Sequence, residues 1–323
     1  MNQLLSKLID RFGIYKKNKL KSLDSQFVKN GQSVTETVSL DVLKHDSAAP
    51  DFEFEKSSEQ GAHEVGTFRF KSRVQSNGEN NCICTGQYYR NTAENETDVV
   101  IVHGWKSSSL RSAKEMLLVP LMTKGYNLYF MELPHHLSRK QPESGFSGEY
   151  MISANVQRTI MSVQQAVMDA GDLVSSSKAN AHKTVVIGLS LGGLVTNMLG
   201  CTGAPIDALV SVMYASNLAH LVWNSAVAKH IKADFMSNGF TYEALEKAWS
   251  VLNPALRKPL VDKDKILLIS GRDDLFITKE DSEALCSSWG NPKRIVIPCG
   301  HSGLNVCKEE IANDICRFID AAL

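Results

Sequence analysis

The chain has no surplus of charge: 35 lysines and arginines meet 35 aspartates and glutamates in 323 residues. A neutral chain has no global field to gather nucleic acid, so a nucleic-acid partner is not expected. It also lacks any apolar run approaching the ~20 residues needed to span a bilayer. The first 21 residues lack the uninterrupted apolar centre and cleavage site of a secretory signal. A cytoplasmic location is the expectation. With 9 prolines and 21 glycines, the composition is neither collagen-like nor low-complexity. Seven cysteines are an odd number and too few for a disulfide scaffold, so they read as reduced core residues. Cys82-x-Cys84 is too close for a zinc knuckle, and no second pair matches it. Neither a metal nor a cofactor is expected.

What the chain does have is apolar content: 43% of residues are hydrophobic, enough for a full core. Its length suits one α/β domain carrying an insertion. Residues 1–21 form a helical apolar pattern, with Met1, Leu4, Leu5, Leu8, Phe12 and Tyr15 set among Lys7, Arg11, Lys16, Lys17, Lys19 and Lys21. Two readings stand: a helix packed on the domain, or a peripheral membrane contact. Residues 22–62 are polar and without periodicity, and read as loops. An extension over 1–62 thus precedes a domain over 63–323.

From residue 64 the rhythm changes. Two alternating segments read as antiparallel strands. Strands and helices then take turns, with strands expected at Asp98–Val102, Asn127–Met131, Lys183–Ile187, Ala208–Met213, Lys265–Ile269 and Arg294–Pro298. Helical patterns fall at Ser112–Thr123, Ala154–Ala170, Gly192–Cys201, Glu280–Ser288 and Lys308–Ala322. This alternation predicts an α/β fold, with a mostly parallel sheet of about eight strands and helices on both faces. The Met213–Lys265 connection is too long for a simple crossover. Its helical, Trp- and Phe-rich pattern predicts a small cap over about 216–262. Trp223, Phe235, Met236, Phe240 and Trp249 either line a pocket there or form the core of the cap.

The stretch Gly188-Leu189-Ser190-Leu191-Gly192 sits where an apolar strand gives way to a helix. Small residues around a serine at such a turn fit a nucleophile elbow. A serine hydroxyl is a weak nucleophile and needs a base oriented by a carboxylate. Asp273-Asp274 follows one later strand and Gly300-His301 follows the last. The order Ser190, Asp, His301 places all three at the carboxyl edge of the sheet. Oxyanion donors would be the N–H groups of Leu191 and of Trp105, which follows His103-Gly104 after an early strand.

With these motifs in order, the chain resembles the α/β-hydrolase superfamily over roughly residues 64–323. The resemblance favours Asp274 over Asp273 as the acid and gives His103 a structural role. Serine at the elbow implies a serine hydrolase cleaving a carboxylic ester, esterase- or lipase-like, through an acyl-serine, with a small-molecule or lipid ester as substrate. A thioesterase or amidase with the same residues, or a non-catalytic binding protein on this fold, are the alternatives. Where many relatives carry Asp-x-x-Gly-His-Gly, this chain has Glu132, Pro134, His135 and His136, a looser similarity to a branch with Pro-His-His. His135, His136 and Gly104 are candidate substrate-binding residues, against a reading of the pair as loop histidines held by backbone. Arg139, Lys140 and Arg158 are candidates for steering an anionic head group, against a reading as solvated charges. The motifs do not specify the oligomeric state.

Overall fold

The computed structural model describes residues 1–28, 50–74, 79–93 and 95–323. A helix, α1 (Gln3–Asn18), precedes the sheet strands β1 (Glu53–Gln60), β2 (His63–Lys71), β3 (Ile83–Asn91) and β4 (Thr97–Val102). Then follow α2 (Arg111–Thr123), β5 (Asn127–Met131), α3 (Val156–Ala179), β6 (Lys183–Leu189), α4 (Leu191–Leu199) and β7 (Ala208–Val212). Three short helices come next: α5 (Leu218–Asn224), α6 (Lys229–Ser237) and α7 (Tyr242–Trp249). The chain ends with β8 (Ile266–Gly271), α8 (Lys279–Ser288), β9 (Lys293–Ile297) and α9 (Lys308–Ala322).

The nine strands form one sheet in the order β1-β2-β3-β5-β4-β6-β7-β8-β9. β1, β2 and β3 pair antiparallel, β3 pairs antiparallel with β5, and every later pairing is parallel. The central strands β5 and β7 are buried throughout, and β4, β6 and β8 at all but one end residue. Their β-branched and leucine-rich runs suit strands covered on both faces. One apolar cluster lies beneath α3, α4 and the cap, and a second lies beneath α2 and α9.

Two expectations are corrected. Among the described residues the sheet has nine strands rather than about eight, because part of the expected loop over 22–62 is β1. Every residue of β1 is exposed, so no apolar alternation announces it. Its charged side chains suit a sheet edge, where they discourage pairing with another chain. The rest of that segment, residues 29–49, lies outside the described residues. The helix expected at Ala154–Ala170 runs on to Ala179, beyond its most apolar turns.

The cap segment leaves β7 and returns at β8. Its aromatic residues pack on one another and join the cluster beneath α3 and α4. Phe235 packs edge-on against Trp249 and stacks on Phe240, with Phe27 against both phenylalanines. The cap is fixed at its base by Asp281 of α8. That carboxylate accepts from Ser216 N–H and Oγ and from Asn217 N–H, at 2.7–2.8 Å.

Candidate active site

Val102 and Leu189 end adjacent parallel strands, so the turns after β4 and β6 emerge side by side. Ser190 fills the turn between β6 and α4 with φ 56° and ψ −112°. A side chain in that region strains the backbone by about 1–3 kcal/mol, and it is kept only where the surroundings enforce it. One enforcing contact is at Gly192. Any Cβ there would collide with the carbonyl oxygen of Val102 and crowd that of His103, so only glycine lets α4 sit this close to β4.

The loops after β8 and β9 bring the other two groups to Ser190. His301 Nε2 lies 2.9 Å from Ser190 Oγ. Its Nδ1 lies 2.8 Å from Asp274 Oδ2. An ionised carboxylate only accepts, so Nδ1 carries the proton and Nε2 is free to accept from the serine hydroxyl. Asp274 Oδ1 in turn accepts the N–H groups of Phe276 and Ile277, each at 2.8 Å. The Phe276 ring stacks on the imidazole at 4.6 Å between centroids. Burial lowers the His301 pKa, but the charge and hydrogen bond of Asp274, with Asp10 behind them, outweigh it and leave the pKa raised. Asp273 turns the other way, onto Arg272 at 2.8 Å, and that bond holds its carboxyl below the usual range.

A cavity of about 350 Å³ opens over this chain of groups. Ser190, His301, Gly104, Trp105 and Leu191 all border it. Leu191 is the first residue of α4, where helix N–H groups lack intrahelical acceptors and the helix dipole favours negative charge. Trp105 is anchored by its indole N–H, which donates to the Gly148 carbonyl at 2.8 Å. The remaining wall is largely apolar, with Met116, Ile152, Leu218, Leu221, Val227 and Ile277. The cap thus contributes Leu218, Leu221 and Val227 to the cavity, while Phe235 and Trp249 stay in the core.

His103 is structural, as expected. Its Nε2 accepts Leu133 N–H at 3.1 Å, so the proton sits on Nδ1 and is donated to the Gly104 carbonyl at 2.8 Å. Burial pushes its pKa down to about 4. The candidates His135 and His136 are corrected. Neither borders the cavity, and both are buried. His136 bonds the Pro134 carbonyl through Nδ1 and meets His103 edge-on. His135 packs edge-on against Tyr150 and meets Asn81 through both its backbone N–H and its ring. Burial, with the charges of Arg158 and Arg139, pushes His135 down to about 3. Arg139 is equally unavailable to a head group. It pairs with Asp169 of α3 at 2.9 Å and donates to the carbonyls of Glu132 and Asn81.

Sequence reasoning missed three residues, all outside the motifs. Asp10 of α1 is fully buried and accepts three backbone N–H groups: Leu275 at 2.8 Å, His301 at 2.9 Å and Ser302 at 2.7 Å. It thus joins the loop of Asp274 to the loop of His301. Burial raises its pKa, as does the nearby Asp274 charge, against the lowering effect of those three bonds. Lys17 and Lys106 form a reciprocal latch at the cavity wall. Lys17 Nζ donates to the Lys106 carbonyl at 2.8 Å, and Lys106 Nζ to those of Lys17 and Leu20 at 3.1 and 2.9 Å. Burial, with the Lys17 charge, pushes Lys106 down to about 7. One signal for Asp10 was present: it is the sole acid in a helix otherwise charged only with lysine and arginine.

Among the described residues no group of three or more His, Cys, Asp or Glu could hold a metal ion. No helix among them is long and apolar enough to cross a membrane. No family model matches the chain. The uncharacterized protein YdjC of Bacillus subtilis (strain 168) is 41% identical over 111 residues, which are 34% of this chain and 96% of that protein. An acetyl xylan esterase from Paenibacillus sp. R4 superposes with a TM-score of 0.66 at 12% identity, covering 96% of this chain and 99% of that one. Acetyl xylan esterase 1 from Thermoanaerobacterium sp. JW/SL YS485 does so with a TM-score of 0.60 at 16% identity, covering 81% and 86%. Likeness at such identity carries the fold and not the substrate. The chain therefore belongs to one family with the Bacillus protein, and its fold is the α/β-hydrolase fold.

Proposed function

We propose that the protein is a serine hydrolase that cleaves a carboxylic ester through an acyl-serine. The observation that carries this reading is the unbroken chain Ser190 Oγ to His301 to Asp274, at 2.9 and 2.8 Å, on the wall of a cavity. A strained serine whose hydroxyl lies within hydrogen-bond reach of an imidazole nitrogen is poised to lose its proton to the neutral ring as it attacks.

In this mechanism His301 Nε2 takes the Ser190 proton while Oγ bonds to the acyl carbon. The carbonyl π-electrons move to oxygen, and the N–H groups of Leu191 and Trp105 receive the negative charge. Collapse of the tetrahedral species expels the alkoxide, which takes the proton from His301. Water then repeats the sequence on the acyl-serine, with His301 again as base, and releases the acid. Asp274 keeps His301 in the required tautomer and stabilises the imidazolium in between. The apolar wall of Met116, Ile152, Leu218, Leu221, Val227 and Ile277 supports an acyl chain as the part of the substrate held by the protein.

Intact mass after treatment with a fluorophosphonate tests this reading. Wild type is expected to gain one adduct, and Ser190→Ala and His301→Ala none. A folded wild type that stays unlabelled, beside a control hydrolase that labels, would favour a non-catalytic binding protein. A panel of p-nitrophenyl esters graded by chain length, run beside thioester and amide substrates, then identifies the leaving group and acyl length.

A further inference from the structure

Helix α1 is amphipathic in the reverse of the usual sense. Packed helices bury an apolar face and expose a polar one. Here the middle of the face turned to the body is polar or small: Ser6 and Asp10 are buried, and Gly13 and Lys17 border the cavity, with Ile14 beside them packed on the core. Ser6, Asp10, Gly13 and Lys17 recur at helical spacing. The opposite side, roughly half a turn away by helical geometry, carries Leu4, Leu5, Leu8, Phe12 and Tyr15. All five are exposed, between 49% and 69%. Among the described residues nothing covers this stripe. A contiguous apolar face of this kind marks an interaction surface.

The charges around the stripe select the occupant. Arg11 and Lys16 lie on its two flanks by helical position, and Lys19 and Lys21 follow at its end. Lys16 sits over the Phe12 ring at 4.5 Å and Lys19 over the Tyr15 ring at 4.7 Å, so these cations point the same way as the apolar face. The only acid in residues 1–21 is Asp10, which is buried on the far side. The chain as a whole is neutral, so this positive rim is a local asymmetry. A second copy laid against the face would bring like charges together. An anionic bilayer surface meets both parts: acyl chains receive the leucines and rings, and headgroups receive the cations. The helix is also already formed and fastened to the body by Asp10 and the Lys17–Lys106 latch, so docking carries no cost of folding it.

We propose that the outer face of α1 docks this protein on an anionic lipid surface. Because Gly13 and Lys17 of the same helix border the cavity, docking sets the cavity close to that surface. The proposal does not rest on catalysis, and its test measures none. The full chain is floated with vesicles of phosphatidylcholine containing phosphatidylglycerol, and with phosphatidylcholine alone. Wild type is expected to float with the anionic vesicles, weakly or not at all with the neutral ones, and less at high salt. Each of Arg11→Gln, Lys16→Gln and Lys19→Gln is expected to weaken binding about five-fold. The double variant Leu8→Glu/Phe12→Glu is expected to abolish it. Circular dichroism melts matching wild type establish that the variants fold. Folded wild type that stays with neither vesicle overturns the proposal, as does a double variant that still floats. A wild type that sediments as a dimer, with a monomeric double variant and no lipid binding, also overturns it and gives the face to a second copy.

Discussion

Two of the histidine-bearing loops at the carboxyl edge of the sheet have opposite fates. The loop after β9 sets His301 at the cavity wall beside Asp274, with its pKa raised. The loop after β5 folds His135 and His136 into the protein, with both pKa values depressed. All three rings are buried enough to lose water, which by itself disfavours the imidazolium. What separates them is the neighbour. His301 faces two carboxylates, Asp274 and Asp10, whereas His135 and His136 lie near Arg139 and touch no carboxylate. The charge beside a histidine, and not its position at the edge of the sheet, decides which way its pKa moves.

The largest effect that can break this contrast is on chemistry. Ser190→Ala is expected to lower kcat by about 10⁵-fold and Asp274→Asn by about 10⁴-fold. Steady-state hydrolysis of a p-nitrophenyl ester measures both. Retention of more than a hundredth of the wild-type rate in Ser190→Ala would remove the serine from the mechanism.

The other loop is expected to answer in stability. Arg139→Ala would leave Asp169 buried without its partner and lower folding stability by about 3–5 kcal/mol, read by urea unfolding. The pH profile of the remaining folded enzyme is expected not to move. A moved profile would tie this loop to the chemistry after all.

Asp10→Asn sharpens the contrast, because it removes one of the two carboxylates behind His301 while keeping the shape. The expected outcome is about a ten-fold fall in kcat/KM. Activity requires neutral His301, so wild-type activity rises with pH through a midpoint above the ordinary value of about 6.5. With the Asp10 charge gone, that midpoint is expected to move down. Stability runs in the other sense. The stability that His301 protonation contributes is full below about 6.5 and is lost as pH rises through its raised folded pKa. A merely structural Asp10 would lower stability without shifting the midpoint.

The smallest expected effect is His135→Gln, which keeps a polar group facing Asn81. A loss of about 1–2 kcal/mol in stability is expected, with kcat/KM per folded molecule unchanged. A rise in KM beyond about ten-fold would return this residue to substrate binding.

Ser190, Asp274 and His301 were legible because each follows a strand end, and strand ends in a parallel sheet share an edge. The pattern around Gly104-Trp105 was legible for the same reason. The preference for Asp274 over Asp273 needed the resemblance, since two adjacent acids look alike in sequence. The backbone decides between them by turning one carboxylate to His301 and the other to Arg272. β1 escaped notice because a fully exposed edge strand carries no alternation of polarity.

The sequence by itself determined the alternation of strands and helices, and the chain order of Ser190, Asp274 and His301 along one sheet edge. Local apolar periodicity and turn-forming residues encode those features. Tertiary structure alone decided which side chains face the cavity. It buried His135 and His136, drew Arg139 onto Asp169, and turned the polar side of α1 inward so that Asp10 grips two loops more than 260 residues away. Contacts so distant in sequence leave no periodic trace. A helical pattern states that two faces differ, and only packing against the body states which of them points out.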